Sequence, residues 1–314
     1  MVIGYTASAN RFYNFDAFCK NFNNVKSKDS FHLLVMVHEP DFVSQFNMVL
    51  NSNHVSNASV HYLPDSPNSH NYLNKIRFLV KWASDNKYKY TIKLDNDIFF
   101  HSSVLDYMFD NRELVADPWN TKVMSLAPTL STGIPGCDYF MKDFFTPDEI
   151  SEMNELFRQH TFGELWGFDY SFLNSLRDKW DVDRYRQALI DSPIYYKGIH
   201  PVRVNNAIQK RFNEIVLNHK DKLHTPNEYY LYQVTPDVYH CNGFVMTLTE
   251  VYKNFVEDAS LYVDPFEEVP FNRYCVNNGW NKMYVGNAFV LHNWYNTYPN
   301  HHYEEYIMFN KLYS

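Results

Sequence analysis

Glycine is scarce in this chain, with 9 in 314 residues. No G-x-G-x-x-G follows the first strand candidate and no G-x-x-x-x-G-K-[ST] occurs anywhere, which weighs against a dinucleotide fold and a phosphate-loop NTPase. Cysteine is also rare. Cys19, Cys137, Cys241 and Cys275 lie far apart with no C-x-x-C, so neither zinc spacing nor a disulfide framework is suggested. Reduced thiols in a cytoplasmic setting fit that usage. No apolar run approaches the length of a membrane span. Met1 to Thr6 reads as a strand, not as the basic and apolar regions of a signal peptide. The formal charge is −8 without a polyelectrolyte tail. What the chain does have is an apolar fraction of 45% and an aromatic fraction of 18%, enough for a sizeable core in one large or two small domains.

Strand and helix candidates alternate over the first hundred residues. Val2–Thr6, Phe31–Val37 and Val60–Leu63 read as strands. Phe12–Phe22, Phe42–Leu50 and Tyr72–Ala83 read as helices, the last with Ile76, Leu79, Val80 and Ala83 on one stripe and Lys75, Arg77 and Lys81 off it. The continuous apolar run of the second strand suits a parallel strand covered on both faces. This order predicts a doubly wound α/β sheet, with ligands outside the carboxyl ends of its strands. Thr6-Ala7-Ser8, His38-Glu39 and Asp95-Asn96-Asp97 all follow strand ends and should gather along one edge.

The stretch Tyr90–Phe100 organises the rest. An apolar run climbs to Asp95 and Asp97, one residue apart, then returns at once to Ile98, Phe99 and Phe100. Residues i and i+2 of an extended chain share a face, so the two carboxylates can converge. Like charges held that close repel, and a divalent cation with oxygen ligands relieves the repulsion.

From about Ser102 to Pro236 the pattern is less regular and looks like a mostly helical insertion. Thr146, Pro147 and Glu149 mark a helix start running to about His160, and Phe168–Trp180 and Val202–His219 also look helical. Between Arg177 and Lys222 there are ten Lys or Arg and six Asp or Glu, about +4 locally. The patch suits a solvated helical surface or a polyanionic acceptor. Regular structure returns with a turn into a strand at Tyr239–Leu248 and a short helix capped by Thr249. A helix opened by Asp264-Pro265 stops at Asn278-Gly279. Two short strands, Lys282–Val285 and Ala288–Leu291, lead into His292, and an aromatic helix closes the chain from Tyr298 to Tyr313.

In this order the pieces resemble an A-type nucleotide-sugar glycosyltransferase, a GT-A fold most similar to the inverting enzymes of family 2. The match covers about 1–105 and 238–296. It implies a single GT-A-like, Rossmann-type sheet with helices on both faces, plus the helical insertion. The organisation is then a nucleotide-sugar half (1–105), an insertion or acceptor subdomain (106–236), an acceptor and catalytic half (237–296) and a C-terminal helix (297–314). The resemblance assigns donor binding to Thr6, Ala7, Ser8, Glu39, Arg77, Asp95 and Asn96. It assigns the metal to Asp95, Asp97 and His292. The acceptor falls to Gly243, Phe244 and Trp294, and the base to Glu268 with Glu267 in reserve. Imidazole beside carboxylates suits Mn²⁺ somewhat better than Mg²⁺. The chain departs from the family in having Glu268 where Asp is usual and Pro270-Phe271 where an acidic-apolar pair is usual.

The expected reaction moves a sugar, with inversion, from a nucleotide-diphosphate donor to an acceptor hydroxyl, a UDP-sugar being favoured. The acceptor is a surface glycan or, alternatively, the hydroxymethylated bases of phage DNA, which would place the chain in a host cytoplasm. A non-catalytic carbohydrate-binding protein is the rival of another class. A sugar nucleotidyltransferase would need a Gly-rich, Arg-bearing loop after the first strand, and residues 3–10 hold one glycine and no arginine.

Overall fold

The computed structural model describes residues 1–7, 11–64, 72–131, 136–159, 206–224, 228–236, 243–258, 268–292 and 311. Nine strands make the sheet: β1 (Val2–Ala7), β2 (His32–Val37), β3 (Ala58–Tyr62), β4 (Tyr90–Asp95), β5 (Ile98–Phe100), β6 (Val123–Leu130), β7 (Tyr230–Val234), β8 (Phe244–Leu248) and β9 (Asn281–His292). Their order is β3-β2-β1-β4-β8-β6-β9-β5, with β7 beside β9. The first four are mutually parallel. Strand β8 runs antiparallel to both β4 and β6, whereas β6 and β9 are parallel. This is the α/β class that the alternation predicts.

Helices cover both faces because alternate strand residues face opposite ways. Helices α1 (Phe12–Phe22), α2 (Val43–Ser52) and α3 (Tyr72–Asp85) follow the first three strands. On one face Ile3, Tyr5, Leu33 and Val35 meet Phe15, Phe18 and Phe46. On the other, Val2, Leu34 and Met36 meet Leu79 and Ala83 of α3. Gly4 makes that approach possible, since a Cβ there would lie 2.4 Å from a Leu79 methyl.

A second core stands on the β5–β9 pair. Phe99, Phe289 and Leu291 pack against Phe140, Phe144, Met153, Phe212 and Ile215. Those come from helices α4 (Gly136–Phe144), α5 (Pro147–Gln159) and α6 (Asn206–Asn218). The expected capping box is in place. Thr146 N–H donates to Glu149 Oε2 at 2.8 Å and Glu149 N–H donates to Thr146 Oγ1 at 3.3 Å.

Several details differ from expectation. Residues 95–97 are not one extended run: β4 ends at Asp95, residues 96 and 97 form a turn, and β5 leaves to pair with β9 instead of β1 or β8. Val123–Leu130, inside the stretch read as an insertion, is a fully buried strand of the main sheet. The two short strands before His292 are one strand of 12 residues. Gly286-Asn287 reads as a break but is an irregularity within it: Asn287 takes φ +58 and its N–H donates to Asp143 at 2.8 Å. Thr249 does not cap its helix through its side chain, because its hydroxyl bonds Thr91 at 2.9 Å. Lys75, expected off the apolar stripe, is 9% exposed. The helices read at 168–180 and 298–313 lie outside the described residues, apart from residue 311.

Candidate active site

Parallel register brings the strand ends together. Thr6 is opposite Met36 and Asp95, and Ala7 is opposite Val37, so the exits of β1, β2 and β4 share one edge. His38 and Glu39 continue from β2 at that edge. Thr6 Oγ1 and Glu39 Oε2 are buried there and have no hydrogen-bond partner among the described residues. A buried polar atom left so is costly unless something polar arrives.

Asp95, Asp97 and His292 come from β4, the turn after it and the end of β9. One ligand atom from each lies within 4.8 Å of the others. The pairing of Ile98 with His292 sets this convergence, placing the imidazole beside the residue that follows Asp97. His292 Nε2 is 3.5 Å from Asp97 Oδ1. The backbone beneath the imidazole is fixed: His292 N–H donates to Ser131 Oγ at 3.0 Å, and Ser131 N–H donates to Val290 O at 3.0 Å.

One oxygen of each carboxylate is already engaged. Arg11 Nη1 donates to Asp97 Oδ2 at 2.9 Å and to Asn96 Oδ1 at 2.8 Å. Asn14 Nδ2 donates to Asn96 O at 3.0 Å, so the start of α1 holds the whole turn. Lys93 Nζ donates to Asp95 Oδ2 at 3.0 Å from a side chain 2% exposed. Burial pushes the Asp97 carboxyl up, but Arg11 and His292 outweigh it and hold the group below the usual carboxylate range. Asp97 Oδ1 accepts no hydrogen bond among the described residues and faces His292. An ionised carboxylate with an open oxygen, a second carboxylate and an imidazole suit a divalent cation, and the imidazole favours Mn²⁺.

Gly243 closes over this group. Its carbonyl accepts from Asp95 N–H at 2.8 Å, and a Cβ would lie 3.0 Å from Ile98 and 3.6 Å from Asp95 Oδ2. Phe244, expected at the acceptor, is fully buried with its ring 4.9 Å from Phe100, so its side chain belongs to the core. Arg77 is exposed on α3. Glu268 begins the helix Glu268–Asn278, which ends at Gly279 with φ +63. Ser8, Glu267 and Trp294 lie outside the described residues. Sequence reasoning missed Arg11, Asn14, Lys93 and Ser131. Only Lys93 left a signal, as a lone lysine in an apolar strand two residues before an aspartate. Part of the basic segment is also accounted for: Arg211 pairs with Glu152 at 2.6 Å, and Lys222 donates to Phe144 O at 2.8 Å.

No protein-family model matches the chain, and no curated protein sequence matches it. Solved structures similar to it include core-mannan synthase A (CmsA/Ktr4) from Aspergillus fumigatus in a Mn/GDP form. That likeness has a TM-score of 0.39 and 10% identity over 89% of this chain and 69% of the other. The mannosyltransferase Ktr4p from S. cerevisiae is similar at a TM-score of 0.34 and 10% identity, over 91% of this chain and 63% of its own. At such identity and overlap these likenesses say nothing of this chain's substrate, and its chemistry has to be read from its own residues.

Proposed function

We propose that this chain is a metal-dependent glycosyltransferase that moves a sugar from a nucleoside-diphosphate donor to an acceptor hydroxyl. The observation that carries the reading is the meeting of Asp95, Asp97 and His292 at the edge where β1, β2 and β4 end. Thr6, Ala7 and Glu39 would border the nucleotide. In the transfer, the bond from the anomeric carbon to the diphosphate oxygen breaks and its electron pair stays on that oxygen. The acceptor oxygen forms the new bond to carbon, and its proton passes to a carboxylate. Glu268, at the first turn of its helix, is the proposed base, with Glu267 as the alternative. Inversion follows if that displacement is direct. Asp95, Asp97 and His292 would hold a divalent cation, which would supply charge neutralisation for the departing diphosphate. Asp97 is kept ionised for that role by Arg11, and His292 is kept in place by Ser131.

A donor screen tests this. Purified chain is incubated with UDP- and GDP-sugars plus Mn²⁺ or EDTA, and nucleoside diphosphate release is followed. Release with at least one donor, abolished by EDTA, is expected. No release with any donor would leave a non-catalytic sugar-binding protein. Glycan and hydroxymethylated duplex DNA are then compared as acceptors at two salt concentrations, since DNA binding weakens steeply with salt.

A further inference from the structure

Both candidate metal-binding carboxylates carry a cation on one oxygen. Lys93 reaches Asp95 Oδ2 at 3.0 Å and Arg11 reaches Asp97 Oδ2 at 2.9 Å. Neither contact is a mobile surface pairing. The Lys93 side chain is 2% exposed and that of Arg11 is 14% exposed. Lys93 lies on the same strand face as Asp95, two residues earlier, and opposite Gly4. That face lies under Leu79, which the missing Cβ of Gly4 allows to sit close. The same Arg11 Nη1 also donates to Asn96 Oδ1 at 2.8 Å. Burying two extra cations beside two carboxylates is costly, and it sets the charge of the site.

We infer that Lys93 and Arg11 are positioning residues that offset the charge of the two carboxylates, so that a divalent cation binds better together with a nucleoside diphosphate than alone. The inference rests on the glycosyltransferase reading above. Each buried cation offsets part of the attraction that the carboxylates exert on a lone divalent ion. With the ion present the group is more positive by two charges, which favours a diphosphate. Metal and nucleotide then raise each other's affinity by the same factor. By clamping one oxygen of each carboxylate, the two cations also leave the other oxygen of Asp97 directed at His292. Outer partners of metal ligands orient the ligands in this way.

The test is Mn²⁺ binding followed by the electron paramagnetic resonance of the free ion, on wild type, Lys93→Met and Arg11→Gln, with and without UDP or GDP. Circular dichroism melting shows which variants are folded, and either folded variant decides the question. Wild type should bind Mn²⁺ weakly alone and much more tightly with a nucleoside diphosphate. Removing one nearby positive charge should tighten binding of Mn²⁺ alone, by about tenfold for a charge some ångströms away in a partly screened site. The gain from nucleotide should shrink in the same variant. A merely structural role predicts the opposite sign, weaker Mn²⁺ binding in both states. Folded variants that bind Mn²⁺ no tighter than wild type overturn the inference while leaving the transferase reading intact. Wild type that binds no Mn²⁺, with or without either nucleotide, overturns both.

Discussion

Lys93 and Gly243 show how much of this site hangs on single side chains. Lys93 is buried in a strand whose neighbours are apolar, and it donates to Asp95 Oδ2 at 3.0 Å. Gly243 leaves room for the Asp95 carboxylate and the Ile98 side chain. Gly243→Ala is therefore expected to push on Ile98, at 3.0 Å from the added Cβ, and through it on the adjoining Asp97, lowering metal-dependent turnover about tenfold or more. The melting temperature should hardly change. A steady-state assay beside a thermal melt checks this, and unchanged turnover would remove Gly243 from the site. The Asp95–Asp97 pair was legible in the sequence because a strand-end carboxylate pair is a local pattern, whereas His292 came in through the resemblance to the glycosyltransferase family. Arg11 was not legible, because its contact spans 86 positions and rests on the packing of α1 against the turn.

At the level of elements, the β5–β9 pair stands between two cores. Ile98, Phe100, Ala288 and Val290 face the main core, while Phe99, Phe289 and Leu291 face the helices α4 to α6. The metal ligands thus sit at the rim of a strand pair clamped on both sides. Phe212 is 2% exposed within the second core, 5.2 Å from the ring of Phe145. Phe212→Ala should cost about 3–5 kcal/mol in a denaturant titration. A change under about 1 kcal/mol would mean the helices do not support the sheet. Thr146→Ala, which removes half of the capping box, should cost about 1 kcal/mol by the same measurement. The capping box was readable because its parts lie three residues apart. Strand β6 was not, since its eight buried residues, with Pro128 among them, alternate in no way that separates a buried strand from a helix. Gly286-Asn287 misled for a related reason: turn-forming residues also serve as irregularities inside a long strand.

Across the whole molecule, the edge of the sheet carries a pH response separate from the site. His32 on β2 and His61 on β3 share Ser59 Oγ, at 2.9 and 3.2 Å, and both rings lie against Trp82. Burial, the main cause, holds both imidazoles below their ordinary value of 6.5. The unfolded chain therefore takes up protons that the folded chain resists. Their stabilising contribution is complete above pH 6.5 and declines as pH falls through 6.5 toward the lower folded values. The urea midpoint should be lower at pH 5.5 than at pH 7.5, and His32→Gln with His61→Gln should flatten that difference. An equal slope in wild type and the double variant would contradict it. Among the described residues no helix is long and apolar enough to cross a membrane.

The sheet's first half was readable because each strand is followed by its helix and pairs with a near neighbour. In its second half β8 and β9 were readable as strands but their order was not, because β6, β8 and β9 are joined by distant stretches and β8 runs antiparallel to both neighbours. Strand β9 nevertheless runs in the same direction as β4, which brings His292 to the end of the sheet where the two aspartates lie. Anomalous diffraction at the manganese edge, from crystals grown with Mn²⁺ and a nucleoside diphosphate, tests the claim most directly. The account predicts a peak bounded by Asp95, Asp97 and His292, lost in Asp97→Ala. A peak elsewhere, or none at that triad, would contradict it.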